Sequence, residues 1–157
     1  MKLVLLSVGA TDSPALKDLI HRFEARISRY IPFQMEYVPD VKITSGKDPA
    51  EFKSRESANI LKRLQPQDVV WILDENGKMF SSRAFAQHIQ KTMNAGPKRL
   101  VLIIGGAYGF DNAVRNRAND SISLSELTFN HQVVRLMAVE QIYRAFSILK
   151  GDPYHND

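Results

Sequence analysis

The chain has 157 residues, of which 44% are hydrophobic and 24% charged, with a formal net charge of +4 and no cysteine. That length suits one domain with a real core, and the composition is that of an ordinary globular protein. The absence of cysteine excludes disulfides, thiol catalysis and thiolate metal sites, and it fits a reducing compartment. The mild positive charge is compatible with an anionic partner or with solubility alone. The apolar run Met1–Val8 is too short for a full leader pattern, and no stretch approaches the roughly 20 apolar residues a membrane helix needs.

Lys2 to Val8 reads as a buried first strand ended by Gly9. Ser13 offers an N-cap with Pro14 at the first helical position. Leu16, Leu19, Ile20, Phe23, Ile27 and Tyr30 then follow at helical spacing, which predicts a helix to about Tyr30. Lys17, His21, Arg22, Arg26 and Arg29 lie off that stripe, as a solvated face or one turned toward phosphates. Phe33 to Val38 reads as a second strand, and Pro39 to Lys47 as a polar, mobile loop.

Asp48, Pro49 and Glu51 make a helix start. The helix carries Phe52, Ile60, Leu61 and Leu64 inward, and Lys53, Arg55, Lys62 and Arg63 outward, until Pro66. Asp68 to Leu73 is another buried strand, with a turn at Asp74–Lys78. Ser81 caps a helix with Phe85, Ile89 and Met93 on one side, and Gly96-Pro97 closes it. Leu100 to Ile104 is an unbroken apolar run, the signature of a strand buried on both faces. It stops at Gly105-Gly106, with Gly109 close behind, and this predicts a binding loop at 105–109. Asp111 caps a short helix to about Arg117, and Ser121 to Leu124 is a last short strand. From His131 a long helix runs to about Lys150. Its apolar surface is too wide for one sheet face, so a two-fold dimer is expected. The alternation of strand and helix predicts a mostly parallel α/β sheet.

The familiar chemical motifs are missing. The glycines 105, 106 and 109 follow the fourth strand rather than the first and do not fit a dinucleotide fingerprint. There is no phosphate-binding loop and no nucleophile elbow. The histidines at 21, 88, 131 and 155 show no metal-ligand spacing, so no metal is expected. Pattern alone reaches a ligand-binding α/β domain with basic outer helices.

Four stretches carry a resemblance further: Leu73-Asp-Glu-Asn-Gly-Lys78, Ile104-Gly-Gly-Ala-Tyr-Gly109, Ser123-Leu-Ser-Glu-Leu-Thr-Phe-Asn-His131, and Tyr143-Arg-Ala-Phe146 with the closing Tyr154-His155. In their order and spacing the chain resembles the RlmH family of the SPOUT superfamily, over essentially its whole length. Where that family usually has proline before the histidine, this chain has Asn130. The resemblance implies one SPOUT domain over residues 1–157, an α/β sheet flanked by helices with a C-terminal trefoil knot. It also implies a cytoplasmic homodimer that uses S-adenosylmethionine to methylate N3 of a pseudouridine in 23S ribosomal RNA on assembled ribosomes. By motif, the donor-binding residues are Leu73, Gly105, Gly106, Leu124, Ser125, Glu126, Leu127, Thr128 and Phe129. His155, Tyr154, His131 and Arg144 are the candidates for catalysis or substrate contact, with an Arg144–Glu140 ion pair as the alternative for Arg144. A non-catalytic ribosome-binding factor and a nucleotide-binding enzyme acting on a small molecule are the competing readings.

Overall fold

The computed structural model describes residues 1–41 and 48–154. Most of the loop expected at 39–47, and His155, therefore lie outside the described residues. Five parallel strands form one sheet: β1 (Lys2–Val8), β2 (Phe33–Val38), β3 (Val69–Met79), β4 (Arg99–Ile104) and β5 (Asp120–Ser123). Their order is β2-β1-β4-β3-β5, so the apolar run that ends at the glycine loop is the middle strand.

The two-residue alternation of the strands sorts the core into two layers. Leu3, Leu5, Leu100, Leu102 and Trp71 face α1 (Pro14–Ile27), α3 (Ser82–Asn94) and α5 (Val133–Lys150). Val4, Leu6, Val70, Val101 and Ile103 face α2 (Pro49–Leu61) and α4 (Asn112–Arg117). The helix starts read from sequence are present: Ser13, Asp48, Ser81 and Asp111 each accept a backbone N–H of the first turn through their side chains.

Several boundaries differ from the sequence reading. The first helix ends at Ile27 rather than Tyr30, because the next amides tighten: Arg29 and Tyr30 donate to carbonyls three residues back. Leu19, counted on its inner stripe, is 40% exposed. The second helix ends at Leu61, well before Pro66. The long helix begins at Val133, two residues after His131. The third strand does not stop at Leu73. Residues 74–77 bulge outward, and Leu73 and Lys78 both pair with Ile122 of β5. Gly77 makes this possible, since a Cβ there would sit 2.6 Å from the Ile122 main chain.

The width of α5 has a partial explanation inside one chain. It lies between α1 and α3 and packs on both, burying Ala138, Val139, Ile142, Ala145 and Phe146. The basic residues of α1 and α2 do not share a surface, because these helices cover opposite faces of the sheet.

Candidate active site

The crossovers set where a site can form. From β1 the chain moves through α1 to β2 on one side, while from β4 it moves through α4 to β5 on the other. Adjacent strands whose connections diverge leave a crevice beyond their carboxyl ends. A cavity of about 580 Å³ opens at that end of the sheet, on the β4-β3-β5 side of the β1/β4 crevice, lined by residues 73–76, 104–110, 115, 123–125, 127–131 and 134. Three loops frame it: the β3 bulge, the glycine loop after β4 and the segment between β5 and α5.

Most of the residues expected to bind a ligand fall on its walls. Leu73, Gly105, Gly106, Leu124, Ser125, Leu127, Thr128 and Phe129 all line it. Glu126 does not; it is exposed and absent from the wall. Gly105 packs on the Phe110 ring, which would be 3.1 Å from a Cβ at that position. The turn after it closes by a bond from the Gly109 amide to the Gly106 carbonyl, 3.1 Å, with Gly109 at φ +69. In the third loop, Ser125 Oγ accepts from the Leu127 amide at 2.9 Å, and Ser123 Oγ donates to the Ser125 carbonyl at 2.8 Å. Asn130 gives this loop its exit. Its Oδ1 accepts from the Gln132 amide at 2.8 Å and its carbonyl from Val134 at 3.0 Å, which turns the chain into α5. The side-chain bond is one that proline at 130 could not make.

His131 lines the cavity, but Arg144 and Tyr154 do not. Arg144 lies on α5, about 16 Å of helix beyond its start, and Tyr154 follows the helix end. There Arg144 pairs with Glu140 at 2.5 Å, and Tyr154 donates to the same carboxylate at 3.1 Å. The Arg144 guanidinium stands 5.0 Å over the Tyr154 ring, which meets Tyr143 edge-on at 4.6 Å. Burial, then Glu140, raises the Tyr154 pKa, so this phenol keeps its proton at neutral pH. The hydrogen bond to Glu140 raises that of Arg144. One chain alone therefore does not bring His131 together with Arg144 and Tyr154.

Three features escaped the sequence reading. Arg115 on α4 pairs with Asp74 of the bulge at 2.7 Å, which clamps two sides of the cavity. Arg135, only 1% exposed, donates to the Val8 carbonyl at 2.8 Å and to Thr11 Oγ1 at 3.1 Å, tying α5 to the end of β1. Glu56 on α2 is 3% exposed, and its Oε2 has no hydrogen-bond partner. Burial, and secondarily the charge of Asp40, raises its pKa to about 7. Its carboxyl rests against Gly106, in the space a side chain there would need. A signal for both buried charges was available. Phe52, Glu56 and Ile60 recur every four residues on the inner face of α2, and Arg135 shares a stripe with Val139, Ile142 and Phe146.

Among the described residues, no three or more His, Asp or Glu side chains are grouped to hold a metal ion. No described helix is long and apolar enough to cross a membrane. Residues 1–155 match the family model described as "Predicted SPOUT methyltransferase". Curated relatives match end to end. One from Christiangramia forsetii, a ribosomal RNA large subunit methyltransferase H, is 49% identical over 156 residues, covering 99% of both chains. Proteins of the same name from Bacteroides thetaiotaomicron and Parabacteroides distasonis are 46% and 45% identical over 157 residues, covering 100% of both chains. Likeness over the whole length, with the three cavity loops in place, leads to one assignment: the chain belongs to the SPOUT methyltransferase family.

Proposed function

We propose that this protein is an S-adenosylmethionine-dependent methyltransferase of large-subunit ribosomal RNA. In this reading it acts on N3 of a pseudouridine in 23S RNA, on assembled ribosomes. The observation that carries the reading is the cavity of about 580 Å³ framed by three loops at the carboxyl end of the sheet. The names of the full-length relatives supply the substrate class.

The walls suit the donor. Leu73, Leu124, Leu127 and Phe129 offer apolar surface for an adenine, while Gly105, Gly106 and Gly109 leave main-chain groups open to it. The donor, when bound, supplies an electrophilic methyl group on a sulfonium. The protein has two further tasks. It must hold the target nitrogen in line with that methyl, which a shared binding site does by fixing two reactants together. It must also let the N3 proton leave, and His131 at the cavity wall and His155 near the C-terminus are the groups of suitable chemistry.

Arg144 and Tyr154 enter through a second copy of the chain. Leu127 is 73% exposed and Phe129 36%, an apolar rim on the cavity, and Val133 at the start of α5 is 40% exposed; a two-fold dimer would cover them. Such a dimer would bring the Arg144–Tyr154 end of one copy to the cavity of the other, with the end of the chain threaded through a trefoil knot. The test is methyl transfer from labelled donor to unmethylated ribosomes, followed by nucleoside analysis. N3-methylpseudouridine is the expected product, and a label that stays off the RNA rejects the reading. His155→Ala should cut turnover while sparing donor binding.

A further inference from the structure

We propose that Glu56 binds the primary ammonium group of the methyl donor, so that the donor lies across the glycine loop with its amino-acid arm toward α2. This rests on the reading that the cavity takes S-adenosylmethionine. Glu56 is not itself on the cavity wall; it projects from α2 onto Gly106, a wall residue, and lies directly behind it with no side chain at 106 between them. The carboxyl is almost wholly buried, yet one of its oxygens has no partner. Buried carboxylates in that condition are rare, because the lost hydration is not replaced.

Among the described residues, Arg135 and Arg55 are held by other groups, although the Arg135 Nε has no partner of its own. Arg135 donates to the Val8 carbonyl, Thr11 and Gln132. Arg55, on the same helix as Glu56, pairs with Glu51 at 2.8 Å. A second carboxylate deepens the deficit: Asp40 lies over Gly9 as Glu56 lies over Gly106. Those two glycines sit two residues beyond the Ser7–Ile104 pair, at the ends of adjacent strands β1 and β4. Asp40 also faces the buried Arg135 guanidinium, whereas Glu56 feels burial and the Asp40 charge and no cation of the described residues.

What would answer it is a small, multiply donating cation. An ammonium group has three N–H donors, and a carboxylate only accepts. The donor carries one such group, at the tip of a flexible arm remote from adenine. The β3 and β5 loops supply Leu73, Leu124, Leu127 and Phe129 to the cavity wall, apolar surface for the adenine, while Glu56 backs the glycine loop. A hard divalent ion would want a larger set of oxygen ligands.

The test uses the full chain in titration calorimetry with two ligands. S-adenosylhomocysteine keeps the amino-acid arm, and 5′-methylthioadenosine lacks it. The wild type should bind the first about tenfold or more tightly than the second, as a hydrogen bond between charged groups allows. Glu56→Gln should lose about tenfold for the first ligand and stay within about twofold for the second. Equal loss for both ligands, or loss for neither, overturns the proposal while leaving the donor reading intact. A difference that appears only with added magnesium and vanishes with chelator also overturns it, in favour of a bridging metal. If the wild type binds neither ligand, the donor reading falls and this inference falls with it.

Discussion

The carboxyl of Glu56 occupies the space in which a side chain on residue 106 would begin. Glycine at 106 is thereby fixed by a contact from another layer of the fold, not by a turn. Its φ is not positive, unlike that of Gly109. Gly106→Ala should push α2 and the glycine loop apart and weaken ligand binding in the cavity. Gly109→Ala should instead cost backbone strain, since no atom stands within 4 Å of a Cβ there. Calorimetry on the two variants separates these effects. The Gly106→Ala loss should shrink when Glu56→Ala is combined with it, and the Gly109→Ala loss should not.

The burial of Glu56 also sets a pH dependence. Its pKa is raised to about 7 by burial first and Asp40 second, against an ordinary 4.5. Between those values the folded chain holds a proton that the unfolded chain releases. Stability therefore falls as pH rises through that window and levels off above it. Glu56→Gln keeps the neutral shape and removes the titration. The variant should melt a few degrees above the wild type at pH 8, with the gap closing near pH 5. Equal melting temperatures at pH 8 would show that the carboxylate finds a partner in solution.

Gly77 is the hinge of the bulge that lets β3 reach the cavity. A methyl group there would meet the main chain of Ile122 and Ser121, which cannot step aside as a long side chain could. Gly77→Ala should cost about 2 kcal/mol or more, a fall of about 4–8 °C in melting temperature. Because the bulge carries Asp74, which pairs with Arg115, ligand affinity should fall as well.

Arg135 joins the cavity segment to the end of β1. Arg135→Ala removes the bonds to Val8 and Thr11 and leaves a void, at a cost of about 3 kcal/mol in urea unfolding. Arg135→Met fills most of that void and should cost less, since an apolar chain can replace a buried ion with modest loss. If the two variants unfold alike, packing contributes little and the hydrogen bonds dominate.

The layers of the fold were legible because the strands alternate and the caps are chemical: Ser13, Asp48, Ser81 and Asp111 announce their helices. The loops were legible through Gly105-Gly106 and the segment from Leu124 to Phe129, which do come together around one cavity. Glu126 entered with its neighbours because the resemblance implies contacts from the main chain of the whole run, and its exposed side chain does not line the cavity. The bulge in β3 was hidden because a turn-rich string, Asp74 to Lys78, looks the same whether the strand ends or resumes. Glu56 and Arg135 stood on apolar stripes, but a lone charge on such a stripe gains meaning only once its neighbours from other elements are known.

The placement of α1 beside α5 decides which basic surface should face RNA. Arg26 stands 5.6 Å over the ring of Tyr143, and that ring meets Tyr154 at 4.6 Å. Basic residues of α1 thus border the Arg144–Tyr154 end of α5, whereas Arg55 of α2, with Lys62 and Arg63 just past its end, belongs to the far face of the sheet. Phosphates held along α1 would lead toward Tyr154; phosphates held along α2 would not. Arg22→Glu with Arg26→Glu should weaken ribosome binding and flatten its salt dependence, because each lost phosphate contact removes released counterions. Lys62→Glu with Arg63→Glu should change both far less. Donor affinity, read by calorimetry, should be untouched in either pair, since none of the four residues lines the cavity. Ribosome binding that survives the α1 reversal but fails with the α2 reversal would turn the docking face over.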